Sequence, residues 1–307
     1  MKYPLEERLI WIKGDLVPIK QARVMVFSPT AQFGLNVFEG IPCFWNHDRK
    51  KLYGFRVMDH YARLIKSARL LQIDCPYTPE EMLEALKAVV KANEITEDIS
   101  VRQTLFVDDF GSWGSSGPTG MFVVPTPKKM ISSEYNQEGL KVCITSWRRI
   151  SDNTISPRIK CGANYINSRM GQREALANGY NTCLFLNEFG KLAEGPGSCF
   201  FMVKNGKLIT PQFTDAVLES ITRDSVIKIA NSMGYKVEER SVDRTETYSA
   251  DEAFLCGSAM GITPIYWIDQ YQIGFEMGNI TTKLANVYYR IARGEDSSIG
   301  EWSTILF

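Results

Sequence analysis

The sequence has few of the residues that most often bind metals in proteins. It contains two histidines, His47 and His60, and its seven cysteines are scattered, with no Cys-x-x-Cys pair among them. Structural zinc sites need clustered cysteine and histidine ligands, so we expect no metal site. An odd number of dispersed cysteines is typical of reduced thiols rather than of a disulfide framework.

Net charge and long apolar runs are also missing. Lys and Arg together number 35, as do Asp and Glu, so the formal net charge is zero. Binding to nucleic acid or to an anionic membrane needs an excess of positive charge, so we expect neither partner. No apolar run approaches the roughly 18 residues of a membrane-spanning helix. The N-terminus lacks the apolar segment of a secretion signal, so we expect a cytoplasmic protein.

Several common catalytic motifs are absent as well. The sequence has no Gly-x-Gly-x-x-Gly after a strand, no P-loop, no Gly-x-Ser-x-Gly turn and no His-Glu-x-x-His helix. With only two histidines, a Ser-His or Cys-His nucleophile pair is a weak alternative. These absences turn attention to lysines and to loops that bind anions.

Local patterns predict where some helices and strands begin. Thr78 and Glu81 have capping-box spacing and precede an apolar stripe, which predicts a helix. Asp243 and Glu246 have the same spacing and predict a second, shorter helix. The apolar residues at 24–27 are typical of a strand. Helices and strands are mixed without sustained βαβ alternation, which favours an α+β fold over a doubly wound one.

A change in composition predicts two domains. Residues 126–138 contain proline, lysine, serine and asparagine but few large apolar residues, which is typical of a linker. We therefore expect a small N-terminal domain at 1–125 and a large C-terminal domain at 139–307.

Four segments contain residues suited to binding anions or reacting with carbonyl groups. Lys160 is predicted at a strand-to-helix junction close to Tyr165, and Glu194 precedes a Gly-Pro-Gly turn. Thr222 lies at a helix start, where free N–H groups bind phosphate. The small residues at 256–261 allow backbone donors to approach an anion. Each segment alone is also explained as a surface lysine, a turn or a cap.

In this order, the four segments resemble the branched-chain aminotransferase family of fold-type IV enzymes, which use pyridoxal 5'-phosphate (PLP). The resemblance runs along nearly the whole chain. In the first half the shared motifs are Phe38-Glu39-Gly40-Ile41, Phe55-Arg56 and Arg63-Leu64. In the second half they are Lys160, Asn164-Tyr165, Glu194-Gly195, Ile221-Thr222-Arg223-Asp224, Gly257-Ser258-Ala259 and Ile262-Thr263-Pro264. The resemblance implies an α+β architecture with a small α/β domain and a larger, β-rich PLP-binding domain.

The resemblance also implies roles for the residues that would bind the cofactor. Lys160 is expected to be joined covalently to PLP and to act as the general acid and base. Glu194 is expected to face the pyridine nitrogen, where an arginine would instead argue for a racemase. Tyr165 is expected to bond the phenolic oxygen of PLP. The residues expected at the phosphate are Arg56, Ile221, Thr222 and Ser258.

The substrate side is less clearly marked. The resemblance implies that the amides of Ser258 and Ala259 bind the substrate α-carboxylate. Phe38 and Met260 line the side-chain pocket or belong to the core, and Arg102 meets a substrate carboxylate or a strand neighbour. The chain departs from common family residues at five places, which are Phe33, Pro42, Ser100, Cys199 and Glu219-Ser220.

The resemblance implies transfer of an amino group from a branched-chain L-amino acid to 2-oxoglutarate by a ping-pong mechanism. The alternatives within the same fold are a D-amino-acid or amine transaminase and an aminodeoxychorismate lyase. A non-catalytic binding protein that keeps the fold is a third possibility. The family resemblance also implies a homodimer or a higher homo-oligomer that binds small amino acids and 2-oxo acids.

Overall fold

The computed structural model describes residues 4–127 and 139–307. These residues form two compact units. Unit 1 comprises residues 4–127, 159–163 and 290–307, and unit 2 comprises residues 139–158 and 164–289. Most of the predicted linker at 126–138 lies outside the described residues, and the predicted domain limits remain a prediction.

The described residues contain fifteen strands, seven α-helices and three short 3-10 helices. The strands are β1 (Leu9–Ile12), β2 (Asp15–Pro18), β3 (Asn36–Asn46), β4 (Lys51–Phe55), β5 (Ile99–Val107), β6 (Thr119–Pro127), β7 (Leu140–Arg148), β8 (Thr182–Leu186), β9 (Cys199–Lys204), β10 (Lys207–Thr210), β11 (Val237–Glu239), β12 (Glu252–Gly257), β13 (Gly261–Ile268), β14 (Tyr271–Gln272) and β15 (Ser303–Ile305). The α-helices are α1 (Pro29–Phe33), α2 (Val57–Leu70), α3 (Pro79–Ala92), α4 (Asn164–Ala177), α5 (Ile221–Ser232), α6 (Arg244–Thr247) and α7 (Asn279–Ala292). The 3-10 helices are Leu5–Glu7, Ile19–Gln21 and Phe213–Asp215.

Unit 1 is built on an antiparallel sheet in the order β15-β4-β3-β5-β6-β1-β2. The apolar faces of α2 and α3 pack on this sheet and form the core of the unit. The predicted capping box at α3 is formed, since Glu81 N–H donates to Thr78 Oγ1 at 3.2 Å and Thr78 N–H donates to Glu81 Oε2 at 2.8 Å. The strand predicted at 24–27 is wrong, because residues 24 and 25 have no regular structure and residues 26 and 27 form a turn before α1.

One edge of β3 positions the segment that contains Lys160. Strand β4 pairs only with the last residues of β3, Cys43 to Asn46. The edge of β3 near Val37 therefore has no partner strand among the described residues. Residues 160–162 occupy that edge. Phe38 N–H donates to Lys160 O at 3.0 Å, and Val37 forms an antiparallel bridge with Cys161. The main chain of Lys160 is therefore fixed by β3.

Unit 2 contains an eight-stranded mixed sheet. Its order is β11-β10-β9-β12-β13-β7-β8, with β14 paired to β13. The pairs β10–β11, β13–β7 and β7–β8 are parallel, and the others are antiparallel. Helix α4 contacts β7 and β8, and a Cβ at its Gly171 would lie 2.4 Å from the Phe185 ring. The glycine therefore permits this close helix–sheet contact.

The short helix predicted after Asp243 exists as α6, but its predicted capping box is wrong. Asp243 makes no capping hydrogen bond. Lys191 Nζ instead donates to Asp243 Oδ1 at 2.6 Å, and Arg240 donates to Glu246 at 2.5 Å.

The two sheets with their helices confirm the predicted α+β class. Across residues 4–127 and 139–307, none of the helices has the length and apolar character that crossing a membrane requires.

Candidate active site

Lys160 is half-buried in unit 1 and is held by its main chain on two sides. Besides the bond from Phe38 to its carbonyl, its own N–H donates to Ser67 Oγ of α2 at 3.2 Å. The side chain extends beside Phe38, and its Nζ lies 5.1 Å from the centre of the phenyl ring. The guanidinium of Arg102 lies 3.9 Å from the same ring centre. Two basic side chains thus lie close to the Phe38 ring.

A buried ionic cluster occupies the opposite face of β3. Glu39 is fully buried and accepts hydrogen bonds from Arg63 Nε and Nη2, both at 2.7 Å, and from His60 Nδ1 at 2.6 Å. Burial alone would raise the pKa of Glu39, but Arg63 and His60 outweigh it and hold that pKa far below its usual range. Glu39 is therefore ionised. Sequence reasoning missed this cluster, although His60, Arg63 and Ser67 have the i, i+3, i+7 spacing of one helix face.

The register between β3 and β5 shows which residues share the other face of this sheet, the face that carries Phe38. Phe38 lies opposite Thr104, Gly40 opposite Arg102 and Pro42 opposite Ser100. Residues that face each other across antiparallel strands project to the same side. The predicted substrate residues Phe38 and Arg102 thus share one face with Pro42 and Ser100, two of the positions where this chain departs from common family residues.

Arg56 begins α2 in a left-handed conformation, with φ of 49°. Its Nε donates to Asp59 Oδ2 at 2.6 Å, and its guanidinium lies 4.9 Å from the centre of the Trp302 ring. Most of the side chain is buried. These contacts fix a cation at the first turn of a helix, as anion binding requires.

Glu194 is the central acidic group of unit 2. It is 3% exposed, and its Oε1 accepts a hydrogen bond from Arg149 Nη2 at 2.7 Å. Its Oε2 accepts from Leu218 N–H at 3.2 Å and lies 3.7 Å from Cys199 Sγ. Burial, with Glu194 adding to it, raises the pKa of Cys199 to about 12, so the thiol stays protonated and donates to the carboxylate. Sequence reasoning missed Arg149.

The turn after Glu194 approaches Tyr165 and the end of β12. A Cβ at Gly197 would lie 3.9 Å from Cε1 of Tyr165. A Cβ at Gly257 would lie 3.1 Å from the carbonyl oxygen of Gly197. The glycines therefore let two backbone segments meet beside the phenol, and Ser258 follows directly.

Helix α5 begins where the sequence predicts an anion-binding terminus. Ser220 is the N-cap, and its Oγ accepts a hydrogen bond from Arg223 N–H at 3.3 Å. Ile221 and Thr222 form the first turn, and both are buried. The preceding Leu218 also contacts Glu194, so this helix start and the carboxylate lie together in unit 2.

Ser258, Ala259 and Met260 form the turn between β12 and β13. Thr263 Oγ1 donates to Met260 O at 3.0 Å, which closes the turn. Ala259 is exposed, while Met260 packs partly against the apolar core of unit 2. The turn presents backbone groups at the surface of the unit.

The predicted site residues thus form two groups. Unit 1 brings together Lys160, Phe38 and Arg102, with Arg56 at the start of α2. Unit 2 contains the remaining predicted residues, namely Tyr165, Glu194, Ile221, Thr222, Ser258, Ala259 and Met260.

Comparisons with known proteins identify the family. A family model described as amino-transferase class IV matches residues 36–268. The branched-chain-amino-acid aminotransferase of Escherichia coli (strain K12) is 33% identical over 299 residues, covering 95% of this chain and 96% of that protein. The crystal structure of the Thermobaculum terrenum branched-chain amino acid aminotransferase in PLP-form is 39% identical, with a TM-score of 0.92, and covers 99% of this chain and 100% of that one. The crystal structure of the T.th. branched-chain amino acid aminotransferase complexed with N-(5'-phosphopyridoxyl)-L-glutamate is 32% identical, with a TM-score of 0.92 and the same coverage.

These findings confirm the family resemblance, the fold-type IV architecture and PLP as the cofactor. They also confirm the expectation of an enzyme that transfers amino groups. The chain belongs to the class IV aminotransferase family of PLP-dependent enzymes.

Proposed function

We propose that this enzyme moves the amino group of a branched-chain L-amino acid to 2-oxoglutarate by a ping-pong mechanism. Support comes from the similarity to enzymes named for branched-chain amino acids, which extends over nearly the full length of the chain. The glutamate adduct of one of these relatives is consistent with 2-oxoglutarate as the amino acceptor. The observation that carries the proposal is the buried Glu194 carboxylate, since transamination requires an acid at the pyridine nitrogen.

The described residues fit PLP. The cofactor carries an aldehyde, a ring nitrogen, a phenolic oxygen and a phosphate, and it stabilises negative charge at the substrate Cα when bound. The chain offers a lysine, a buried carboxylate, a phenol next to glycine turns, and an arginine and a helix N-terminus for an anion. The glycine at 257, where a Cβ would meet the Gly197 carbonyl, keeps this region open to close backbone approach.

In this proposal Lys160 carries the cofactor and then moves the proton at the substrate Cα. A flexible four-carbon stem allows an amine to serve both tasks. Fixing the Lys160 main chain to Phe38 N–H and Ser67 Oγ leaves the motion to the side chain. The Lys160 side chain therefore moves relative to a fixed main chain.

Glu194 and Tyr165 would orient and polarise the ring. Arg149, the Leu218 amide and the Cys199 thiol fix the orientation of the Glu194 carboxylate. An ionised carboxylate favours a protonated pyridine nitrogen, which makes the ring a stronger electron sink. Tyr165 would donate to the phenolic oxygen.

The phosphate would be bound by the remaining residues of the predicted set. The guanidinium of Arg56 supplies a charge-assisted bond, and the N-terminus of α5 supplies amides and a favourable dipole. Ile221, Thr222 and Ser258 complete this group in the proposal.

The residues proposed for the substrate are on the β3–β5 face of unit 1 and in the turn after β12 of unit 2. The Ser258 and Ala259 amides are proposed for the α-carboxylate, and Phe38 and Met260 for the apolar side chain. Arg102 is proposed for the second carboxylate of the acceptor, since its guanidinium stacks on Phe38 at 3.9 Å. Arg102 would thus bind a diacid beside an apolar pocket.

A donor panel tests the proposed reaction. With 2-oxoglutarate as acceptor, Leu, Ile and Val are expected to change the cofactor absorbance and to yield glutamate. The D-enantiomers are expected to react at least about 10²-fold more slowly, because they direct the Cα–H bond away from the lysine. Chiral chromatography of the amino acids measures the glutamate formed and the rates with the L- and D-enantiomers. A preference for D-amino acids, or pyruvate release from aminodeoxychorismate, would replace this proposal with one of the alternatives.

We further propose that the enzyme is a cytoplasmic homodimer. Unit 1 has an exposed aromatic patch, in which Phe27 is 63% and Phe110 is 71% exposed. Phe27 and Phe110 stack with ring centres 5.8 Å apart. Exposed apolar groups of this size are typical of surfaces that bind another protein.

Light scattering tests the dimer. The wild-type enzyme is expected at twice the 34.8 kDa chain mass. A Phe27→Ser/Phe110→Ser variant is expected to shift towards the single-chain mass, because it removes apolar area from the patch. The matched control is Phe189→Ser in unit 2, which is 78% exposed and outside the patch. A wild-type monomer would contradict the proposal.

A further inference from the structure

One face of α2 holds both the Lys160 main chain and the buried ionic cluster. His60, Arg63 and Ser67 follow one another at spacings of three and four, so their side chains project to the same side of the helix. Ser67 accepts the Lys160 N–H, while His60 and Arg63 bind Glu39. Glu39 itself is the neighbour of Phe38, which donates to the Lys160 carbonyl.

The tautomer of His60 follows from its partner. The ionised Glu39 carboxylate only accepts hydrogen bonds, so the 2.6 Å contact requires a proton on His60 Nδ1. Burial lowers the pKa of His60; Glu39 opposes this shift, and the charges of Arg63 and Lys160 add to it. The ring is therefore neutral, and its Nε2 is an acceptor. Within residues 4–127 and 139–307, this buried Nε2 has no hydrogen-bond partner.

The cluster is consequently balanced in charge. Glu39 contributes one negative charge, Arg63 one positive charge and His60 none. Arg102, on β5 and on the other face of the sheet, is a further unit 1 cation near the same Phe38 ring as the Lys160 side chain. Because the cluster is buried, its charges are poorly screened by water and act on neighbouring groups strongly.

We propose that Glu39, His60 and Arg63 are positioning residues that fix the peptide of Lys160 and set the electric potential at its amine. This inference rests on the proposal that Lys160 carries PLP. Loss of Glu39 charge leaves the guanidinium of Arg63 uncompensated, which disfavours a cation at the lysine nitrogen. Loss of Arg63 charge leaves the carboxylate uncompensated, which favours that cation.

The test is a pH titration of the cofactor absorbance in the holoenzyme, together with thermal unfolding. We expect Glu39→Gln to lower the pH midpoint of the titration by about one unit. We expect Arg63→Gln to raise it, by less, because His60 then takes up a proton and restores part of the positive charge. His60→Asn retains a neutral donor to Glu39 and is expected to leave the midpoint unchanged within about 0.3 unit.

The opposite signs separate this role from a purely structural one, since both glutamine variants are expected to lose stability. A matched control is Asp98→Asn, which breaks a partly buried ion pair of unit 1. Asp98 accepts hydrogen bonds from Trp45 N–H at 2.7 Å and Arg293 Nη2 at 2.8 Å. Trp45 is six residues from Glu39 along β3, or about 20 Å. Asp98→Asn is expected to lower the unfolding temperature without moving the midpoint.

Shifts of the same sign in Glu39→Gln and Arg63→Gln, or shifts no larger than the control, would overturn the inference. If neither glutamine variant folds, Glu39→Asp and Arg63→Lys retain the charges, and the inference then requires unchanged midpoints at lower unfolding temperatures. Borohydride reduction of the wild-type enzyme separates the two proposals. If Lys160 is labelled but the two midpoints do not shift in opposite directions, only the inference about the Glu39 cluster is refuted. If Lys160 is not labelled, the proposal that Lys160 carries PLP is refuted.

Discussion

Turnover of the Lys160→Ala enzyme is expected to fall by at least about 10³-fold, the range of a lost general acid–base group. The contacts that hold this position use its main-chain N–H and C=O, bound by Ser67 Oγ and Phe38 N–H. An alanine keeps both contacts, so the variant should fold with an unfolding temperature close to that of the wild type. Steady-state kinetics with the best donor of the panel, and calorimetry, measure the two effects.

The matched control for this variant is Lys91→Ala, at an exposed position of α3. It should retain wild-type turnover. A small primary amine added to Lys160→Ala should restore part of the rate, because it replaces the missing proton acceptor. More than a tenth of wild-type turnover in Lys160→Ala without added amine would show that another group moves the proton.

Glu194→Gln is expected to lower turnover by roughly 10²-fold, as when one preorganised polar contact to developing charge is lost. The amide keeps the shape of the side chain and an acceptor for Arg149, but it carries no charge to balance a protonated pyridine nitrogen. Stability should fall as well, by up to about 3–5 kcal/mol, because the buried Arg149 loses its ionic partner. The Arg149 guanidinium also donates to Asn167 Oδ1 and Ser168 Oγ, each at 3.3 Å.

Rates must therefore be measured well below the unfolding temperature of the variant. Glu238→Gln, which alters a partly exposed ion pair with Lys207 on the same unit, is the control and should change turnover by less than about twofold. Full activity of folded Glu194→Gln would mean that a different group faces the ring nitrogen.

Local patterns predicted secondary structure well where no distant group competes for the same side chains. Thr78 and Glu81 bond each other's main chain, as their spacing predicts. Asp243 and Glu246 have identical spacing, yet Lys191 and Arg240 bind them instead. Those basic partners lie elsewhere in the chain or outside the helix, so the spacing alone contains no information about them.

Strand β3 is an element that the local patterns did not predict. Its eleven residues include Gly40 and Pro42, which normally argue against a strand interior. Pro42 pairs with Ser100 of β5, and β4 pairs with β3 only from Cys43 onward. Pro42 therefore lies beyond the part of β3 that pairs with β4, where a strand tolerates a proline. The same incomplete pairing leaves the edge that receives residues 160–162, and no sequence pattern reveals it.

The predicted site followed from ordered motifs, while the groups that hold those motifs did not. Lys160 and Glu194 stand out because amines and acids beside glycine turns are suited to chemistry. Arg149 and His60 bind the carboxylates of Glu194 and Glu39, and each of these contacts joins segments far apart in sequence. Their helical or strand neighbours therefore gave little signal, apart from the shared face of His60, Arg63 and Ser67.

The most direct test of the central claim is borohydride reduction of the wild-type holoenzyme, followed by proteolysis and mass spectrometry. The account predicts one phosphopyridoxyl group per chain, on the peptide that contains Lys160. A phosphopyridoxyl group on any other lysine, or no labelled lysine at all in an enzyme that retains its cofactor absorbance, would contradict it.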